Sequence, residues 1–491
     1  MLDPARASAT GERLSAPRLA WIEVAPDAPY FVTADGHDWT PVGQNDAVCW
    51  EGLSGLYGRR DPMAARRYLE RLADHGVTTL RLMLEYAEFP DFLLEDPVGR
   101  FRPEMVQLWD DLFVLFEELG LRVLLTPFDT FWTWLKFAEH PLCKARGGPL
   151  DHPSRALLCP ATMDAIKARL AFATRRWGGS GALFAWDLWN EIHPGQAEES
   201  AEPFPAFIHE VSDYLRRLEH AIHGRAHPQT VSLFGPEMRW RPHMPFAETI
   251  LRHPALDFAN LHIYEEGTID DPANTVEPAL AMGRLVAENI GETPKGRPFF
   301  DSEHGPIHSF KDKRITLPEP FDDDYHRHVQ WAHLASGGVG GGMRWPNRHP
   351  HRLTAGMLDA QHAMTKFLPL IAWQRFDRRN VSAAIICHDA RRRIVAEDLV
   401  ARFAAASRDQ AIAYLLRRDI IGPDGRLARG AAPLSLAITV PGLAPGRYRA
   451  TLFDTERGAV IGSAEAVWEG KCGTTVAVAL ATDLAMAFTR K

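Results

Sequence analysis

The chain has 491 residues, 46% of them hydrophobic and 24% charged, with a formal net charge of -8. That length exceeds one ordinary domain and points to a large domain with a smaller companion, in the composition range of soluble globular proteins. The acidic balance argues against nucleic acid or an anionic membrane as a partner, since both require a basic face, and neutral ligands fit better. Fourteen tryptophans offer platforms for the apolar faces of sugars, although many of them will fill cores.

Cys49, Cys143, Cys159, Cys387 and Cys472 form an odd, scattered set with no CxxC pair, the pattern of reduced thiols inside a cell. The opening MLDPARASATGERLSAPRLAW has no continuous apolar core of a signal peptide and no membrane-spanning stretch. The expected location is cytoplasmic. Oligomeric state is left open by the sequence.

Residues 1–25 read as a loose polar arm and 26–373 as a barrel. From Tyr30, PYFVTADGHDWTPVGQND reads as two short strands about the Asp35-Gly36 turn, the second ending at Gly43-Gln44-Asn45. Asp61-Pro62 caps a helix that stops at Gly76, and the apolar run GVTTLRLML follows with one charge, Arg81. A helix from Pro103 to Leu119 ends at Gly120 and delivers LRVLLTPFD. The same alternation recurs through helical patterns at Thr162 to Trp177, Phe204 to His223, Phe246 to Arg252, Pro278 to Asn289 and Asp322 to Ala335, with a last one at Gln361 to Ile371. Strands ending near Asn45, Leu84, Asp129, Glu191, Gly235, Tyr264, Glu303 and Trp345 number eight, which implies a closed (β/α)8 TIM barrel, an α/β fold. The competing doubly wound sheet would carry a glycine-rich phosphate turn after its first strand, and GQND is not one.

After Trp373 the texture changes to short alternating runs such as VSAAIICH, LSLAITV and RYRATLFD, broken by DGR, PGLAPG and ERG turns. Residues 374–491 therefore read as a small antiparallel β-sandwich with an accessory role.

The chemistry centres on FAWDLWNEIHP, Phe184 to Pro194. Its unalternating apolar half is a strand buried on both faces, and it ends in Asn190-Glu191. A glutamate at the carboxyl end of a barrel strand, beside an asparagine able to hold a substrate hydroxyl, marks Glu191 as one catalytic carboxylate. The seventh strand, FFDSEHG, offers Glu303 as the second; Asp301 shares its face one layer deeper and reads as structural. Strands four and seven face each other across a barrel mouth, and two carboxylates about 5 Å apart are what retaining glycoside hydrolysis requires.

This arrangement resembles the clan A glycoside hydrolases, most closely the cellulase-like family 5, across roughly Tyr30 to Trp373. The resemblance implies Glu191 as acid/base and Glu303 as nucleophile. It also implies Arg81 as the arginine that orients the nucleophile, Asn190 as the ligand of the sugar 2-hydroxyl, Tyr264 as a hydrogen-bond partner of the nucleophile and Trp345 as the floor of the first glycone subsite. His262 shares a face with Tyr264. Each has a structural alternative: an ion pair for Arg81, a core position for His262, a barrel plug for Trp345. The sequence departs from the family pattern at the end of strand three, where a histidine is usual and Asp129 stands here; the resemblance implies that this position touches the terminal sugar, and Asp129 is counted with the substrate-binding set.

The long segment from Thr130 to Leu158 opens with Phe131, Trp132 and Trp134, which are either stacking surfaces or the core of a lid. Trp132 and Trp134 are counted with the substrate-binding set. Glu85, Tyr86, His193, Glu237 and Trp240 are further candidates for the mouth. No metal and no other cofactor are expected, because the HxH pairs, His326/His328 and His349/His351, fall away from strand one. The expected activity is retaining β-glycoside hydrolysis of an oligosaccharide or small glycoside, exo-acting or on short chains. The alternatives are an endo-acting β-glucanase or β-mannanase, or a barrel that binds carbohydrate without cleaving it.

Overall fold

Six strands of the barrel are continuous runs, the fifth is interrupted once, and the eighth is a single residue. In the computed structural model, which describes residues 19–307, 316–469, 472–473 and 475–491, parallel pairing runs through Gly43–Asp46, Thr79–Met83, Arg122–Thr126, Leu183–Asp187 and Gln229–Thr230. After Val231 the fifth strand resumes at Ser232–Phe234 and pairs with Ala259–Ile263, which pairs with Phe299–His304. Arg344 closes the ring, bridging Gln44 of strand one and His304 of strand seven. Every residue of strands two, three, four, six and seven is buried, as the near-continuous apolar runs require. The helices between them follow local signals: Asp61 caps Pro62–Asp74 by accepting from the Ala64 N–H at 2.9 Å, and Gly120, at φ 74°, ends Pro103–Leu119.

The N-terminal reading needs correction. Ile22–Val24, inside the stretch expected to be a loose arm, pairs with Phe31–Thr33, which pairs with Asp38–Trp39. This hairpin is not part of the barrel; only Gly43–Asp46 enters it. Phe31 and Trp39 pack on Phe184 and Phe258 at ring separations of 4.6–5.4 Å. These partners sit at the starts of strands four and six, so the hairpin seals the end opposite the mouth. Residues 1–18 of the expected arm lie outside the described residues.

Beyond the barrel, a seven-stranded antiparallel sheet and a three-stranded antiparallel sheet enclose a core that includes Ile438, Tyr448, Trp468 and Phe488, forming a β-sandwich. The sandwich docks on helix Glu319–Ala335: Trp331 lies 6.1 Å from Tyr414 and 5.8 Å from Phe453, ring to ring. At Gly283 any Cβ would sit 2.4 Å from the Phe403 ring, so that helix approaches the sandwich only because the residue is glycine. Cys49, Cys143, Cys159 and Cys387 are free thiols, and the side chain of Cys472 lies outside the described residues. Among the described residues no helix is long and apolar enough to cross a membrane.

Candidate active site

Strand geometry delivers the two glutamates to one point. Glu303, on strand seven, receives the Arg81 guanidinium (Nη1 to Oε2, 2.8 Å) and the Tyr264 hydroxyl (to Oε1, 3.0 Å). Glu191 lies just past the end of strand four, where the chain extends by a single bridge between Asn190 and Asp129 and then turns. Glu191 itself adopts φ 50°, a left-handed conformation that carries strain in a non-glycine residue and that recurs at active sites. Its backbone N–H donates to Ser232 Oγ at 3.1 Å, and that hydroxyl donates to Asp187 Oδ2 at 2.9 Å. Its carboxylate meets His262 Nδ1 at 2.8 Å, while Glu303 Oε2 lies 3.5 Å from the same nitrogen. One carboxylate oxygen from each glutamate and one His262 nitrogen all fall within 4.8 Å of one another.

Arg81 is the hub. Fully buried, it donates from Nη1 to Asn45 Oδ1 (3.0 Å) as well as to Glu303, and from Nη2 to Asp187 Oδ2 (2.9 Å) and Asn190 Oδ1 (2.5 Å). A planar fork with five donors can align four acceptors in this way, which a lysine cannot.

The surroundings of the two glutamates differ. Burial pushes Glu191 up to about 7, against the opposing pull of Arg81, so it holds its proton near neutrality. Glu303 accepts two donors, the cationic Arg81 and the Tyr264 hydroxyl, whereas among the described residues no cation donates to Glu191. Burial lowers His262 to about 4 and leaves it neutral; from Nδ1 it can donate to one oxygen of Glu191 while the other faces the cavity. Tyr264 is held well above its usual value by burial and by the adjacent carboxylates, so it remains a donor.

The same three side chains have the spacing of a metal site. Arg81, however, already brings a cation to Glu303, and an added ion would face that charge at close range.

A cavity of about 810 Å³ opens above the pair. It is lined by Glu191, Glu303, Asn190, Tyr264 and Trp345, and by Asp129, Trp132 and Trp134, so it gathers the expected site residues other than Arg81 and His262, which lie beneath its floor in contact with the glutamates. Tyr86, His193, Glu237 and Trp240 also line it. Glu85 does not: it is buried in an ion pair with Arg169 at 2.6 Å, which with His140 holds its carboxyl down at about 2.

Asp129 has a structural role besides its place in the cavity wall. It lines the cavity, and it also caps the short helix Thr130–Leu135, accepting from Phe131 N (3.2 Å) and Trp132 N (2.6 Å), and accepts from Asn190 Nδ2 at 2.5 Å. Its first effect is to orient Asn190. Asn45, Asp187 and Ser232 were missed by sequence reasoning. Asp187 had one available signal, a lone carboxylate closing an apolar strand.

No family model and no curated protein matches the chain. Solved structures do match. A glycoside hydrolase family 5 structure from Bacteroides vulgatus ATCC 8482 superposes with a TM-score of 0.58 at 12% identity, covering 96% of this chain and 93% of that one. The fold is that of family 5. A second structure, a glycoside hydrolase, gives 0.57 at 13% identity over 96% and 97% of the two chains, so the likeness to solved glycoside hydrolases spans both the barrel and the sandwich. A family 5 mannosidase from Rhizomucor miehei gives 0.53 at 13% identity, covering 71% of this chain and 98% of that one.

Proposed function

We propose that this protein is a retaining β-glycoside hydrolase in which Glu303 is the nucleophile and Glu191 the acid/base. The observation that carries the reading is the approach of Glu191 and Glu303 oxygens to within 4.8 Å. Retaining enzymes hold their carboxylates about 5–5.5 Å apart, whereas inverting enzymes leave roughly 6.5–9.5 Å for a water.

In the first step a Glu303 oxygen attacks the anomeric carbon, the bond from that carbon to the leaving oxygen breaks, and Glu191 gives its proton to that oxygen. Arg81 and Tyr264 hold Glu303 on its trajectory. In the second step Glu191, now ionised, takes a proton from water, and the hydroxide displaces Glu303 with restoration of configuration. Asn190, held through its Oδ1 by Arg81 and through Nδ2 by Asp129, keeps a second Nδ2 hydrogen for the 2-hydroxyl, a contact that strengthens in the transition state. Trp345 gives the sugar an apolar face to rest on.

The proposal extends to an exo or short-chain habit, in a site whose aromatic wall runs from the nucleophile's side round to the acid's. Trp345, Trp50, Tyr86 and Trp132 follow one another at ring separations of 5.2–6.2 Å. The Rhizomucor miehei mannosidase, of the same fold, has a structure in complex with mannosyl-fructose, and β-mannosides are therefore the first glycones to try beside β-glucosides. A cytoplasmic location, proposed from the scattered thiols, agrees with small substrates.

The test is a panel of nitrophenyl β-glycosides assayed with wild type, Glu303→Ala and Glu191→Ala. At least one glycoside is turned over by wild type, and Glu303→Ala loses about a thousandfold or more in kcat. Failure of every glycoside, or a fully active Glu303→Ala, would remove the proposal.

A further inference from the structure

Two apolar walls leave the catalytic pair in the direction of Glu191. One passes from Trp345 through Trp50, Tyr86 and Trp132 to Phe131, Trp134 and Leu135 on the helix after strand three. The other passes from Tyr264 through Phe234 to Trp240, after strand five, at ring separations of 5.3 and 5.7 Å. Strands three and five flank strand four in the barrel, so the far ends of both walls stand on either side of the acid.

Exposure changes along the walls. Trp345, Trp50, Tyr86 and Tyr264 are at most 7% exposed, whereas Phe131, Trp134, Leu135 and Trp240 are 41–64% exposed. Contiguous exposed apolar surface in a pocket marks a binding region. Isolated aromatic rings suit sugar faces, but Leu135, the second most exposed of the four, has no ring to stack. The polar groups between the walls are engaged with one another: Glu237 meets His193 at 3.5 Å and Arg241 at 3.1 Å, and Arg241 meets Glu199 at 3.4 Å.

From this placement we infer that the leaving-group subsite takes an apolar aglycone, so that the substrates are β-glycosides of alkyl or aryl alcohols. The inference rests on the hydrolase reading, because that reading makes Glu191 the donor to the leaving oxygen. The step is balanced: the anomeric carbon exchanges its bond to the alcohol oxygen for one to Glu303, Glu191 protonates that oxygen, and water then releases the sugar. The products are one free sugar and one free alcohol.

The experiment first fixes the glycone with nitrophenyl β-glycosides, then compares methyl, butyl and octyl β-glycosides of that sugar with its β-1,4-linked disaccharide. Binding of the octyl and methyl 1-thioglycosides is measured by calorimetry in parallel. The expected kcat/KM for the octyl glycoside exceeds that for the methyl glycoside by roughly thirtyfold or more, as buried methylenes require, and exceeds that for the disaccharide. In the double variant Leu135→Ala, Trp240→Ala, with an unchanged circular dichroism spectrum, the octyl-to-methyl ratio falls to about threefold in turnover and in thioglycoside affinity. A flat response to chain length, or a preference for the disaccharide, would overturn the apolar subsite while leaving the hydrolase intact. A protein that hydrolyses none of the compounds would sink the hydrolase reading and this inference with it.

Discussion

Glu191 combines a left-handed backbone, a desolvated carboxyl and a neutral histidine at 2.8 Å. Because its proton is held to about pH 7, kcat/KM for nitrophenyl glycosides falls as pH rises through 7. A dinitrophenyl leaving group, which needs no protonation, loses that alkaline limb. The sign for stability is the same: a carboxyl whose folded pKa is raised contributes most below its unfolded value, near 4.5, and loses that contribution as pH climbs through 7. Glu191→Gln therefore gains in Tm relative to wild type, by a degree or two at pH 8, with the gain shrinking towards pH 5. Arg81→Lys lowers kcat/KM by about a hundredfold or more, since one ammonium cannot serve Asp187, Asn190, Asn45 and Glu303 together. Dialysis against EDTA leaves activity unchanged; loss restored by zinc would assign Glu191, His262 and Glu303 to a metal instead. Glu191 and Glu303 were legible because strand ends and alternation announce them, and Arg81 and Tyr264 through the family resemblance, with His262 on the face that Tyr264 shares. Asp187 and Asn45 were not, since each acquires its place only when Arg81 arrives from another strand.

Among the elements, the helix Thr130–Leu135 was the least legible. Its six residues, TFWTWL, are too short to show a helical period, so the segment read as irregular and the capping role of Asp129 was not visible. Asp129→Ala removes the cap, worth about 1 kcal/mol, and leaves Asn190 without its second anchor. The expected result is a small fall in Tm with a kcat about tenfold lower; a fall in Tm with unchanged kcat would confine Asp129 to holding the helix. Strand eight was placed correctly near Trp345, yet it consists of one bridging residue, Arg344, whose guanidinium meets Asp322 at 2.6 Å. The glycine run before it gave no apolar period to read.

At the scale of the whole molecule, barrel and sandwich share a core. Helix Glu319–Ala335 carries many charges, yet nearly all of its residues from Phe321 onward are buried because the sandwich covers its outer side. Two of its charges find partners in the sandwich: Asp324 pairs with Arg426 at 2.8 Å and Arg327 with Asp483 at 3.5 Å. The change of texture after Trp373 was visible in the sequence, whereas this matching was not, since it joins residues more than a hundred positions apart. Trp331→Ala costs about 3–5 kcal/mol, and a calorimetric scan shows one transition in wild type rather than two. The meeting of Glu191 and Glu303 is likewise a property of the closed ring, and it is tested most directly by azide rescue of the two alanine variants, with product configuration read by NMR. The account predicts a β-glycosyl azide from Glu191→Ala and an α-glycosyl azide from Glu303→Ala; the same configuration from both, or the reverse assignment, would contradict it.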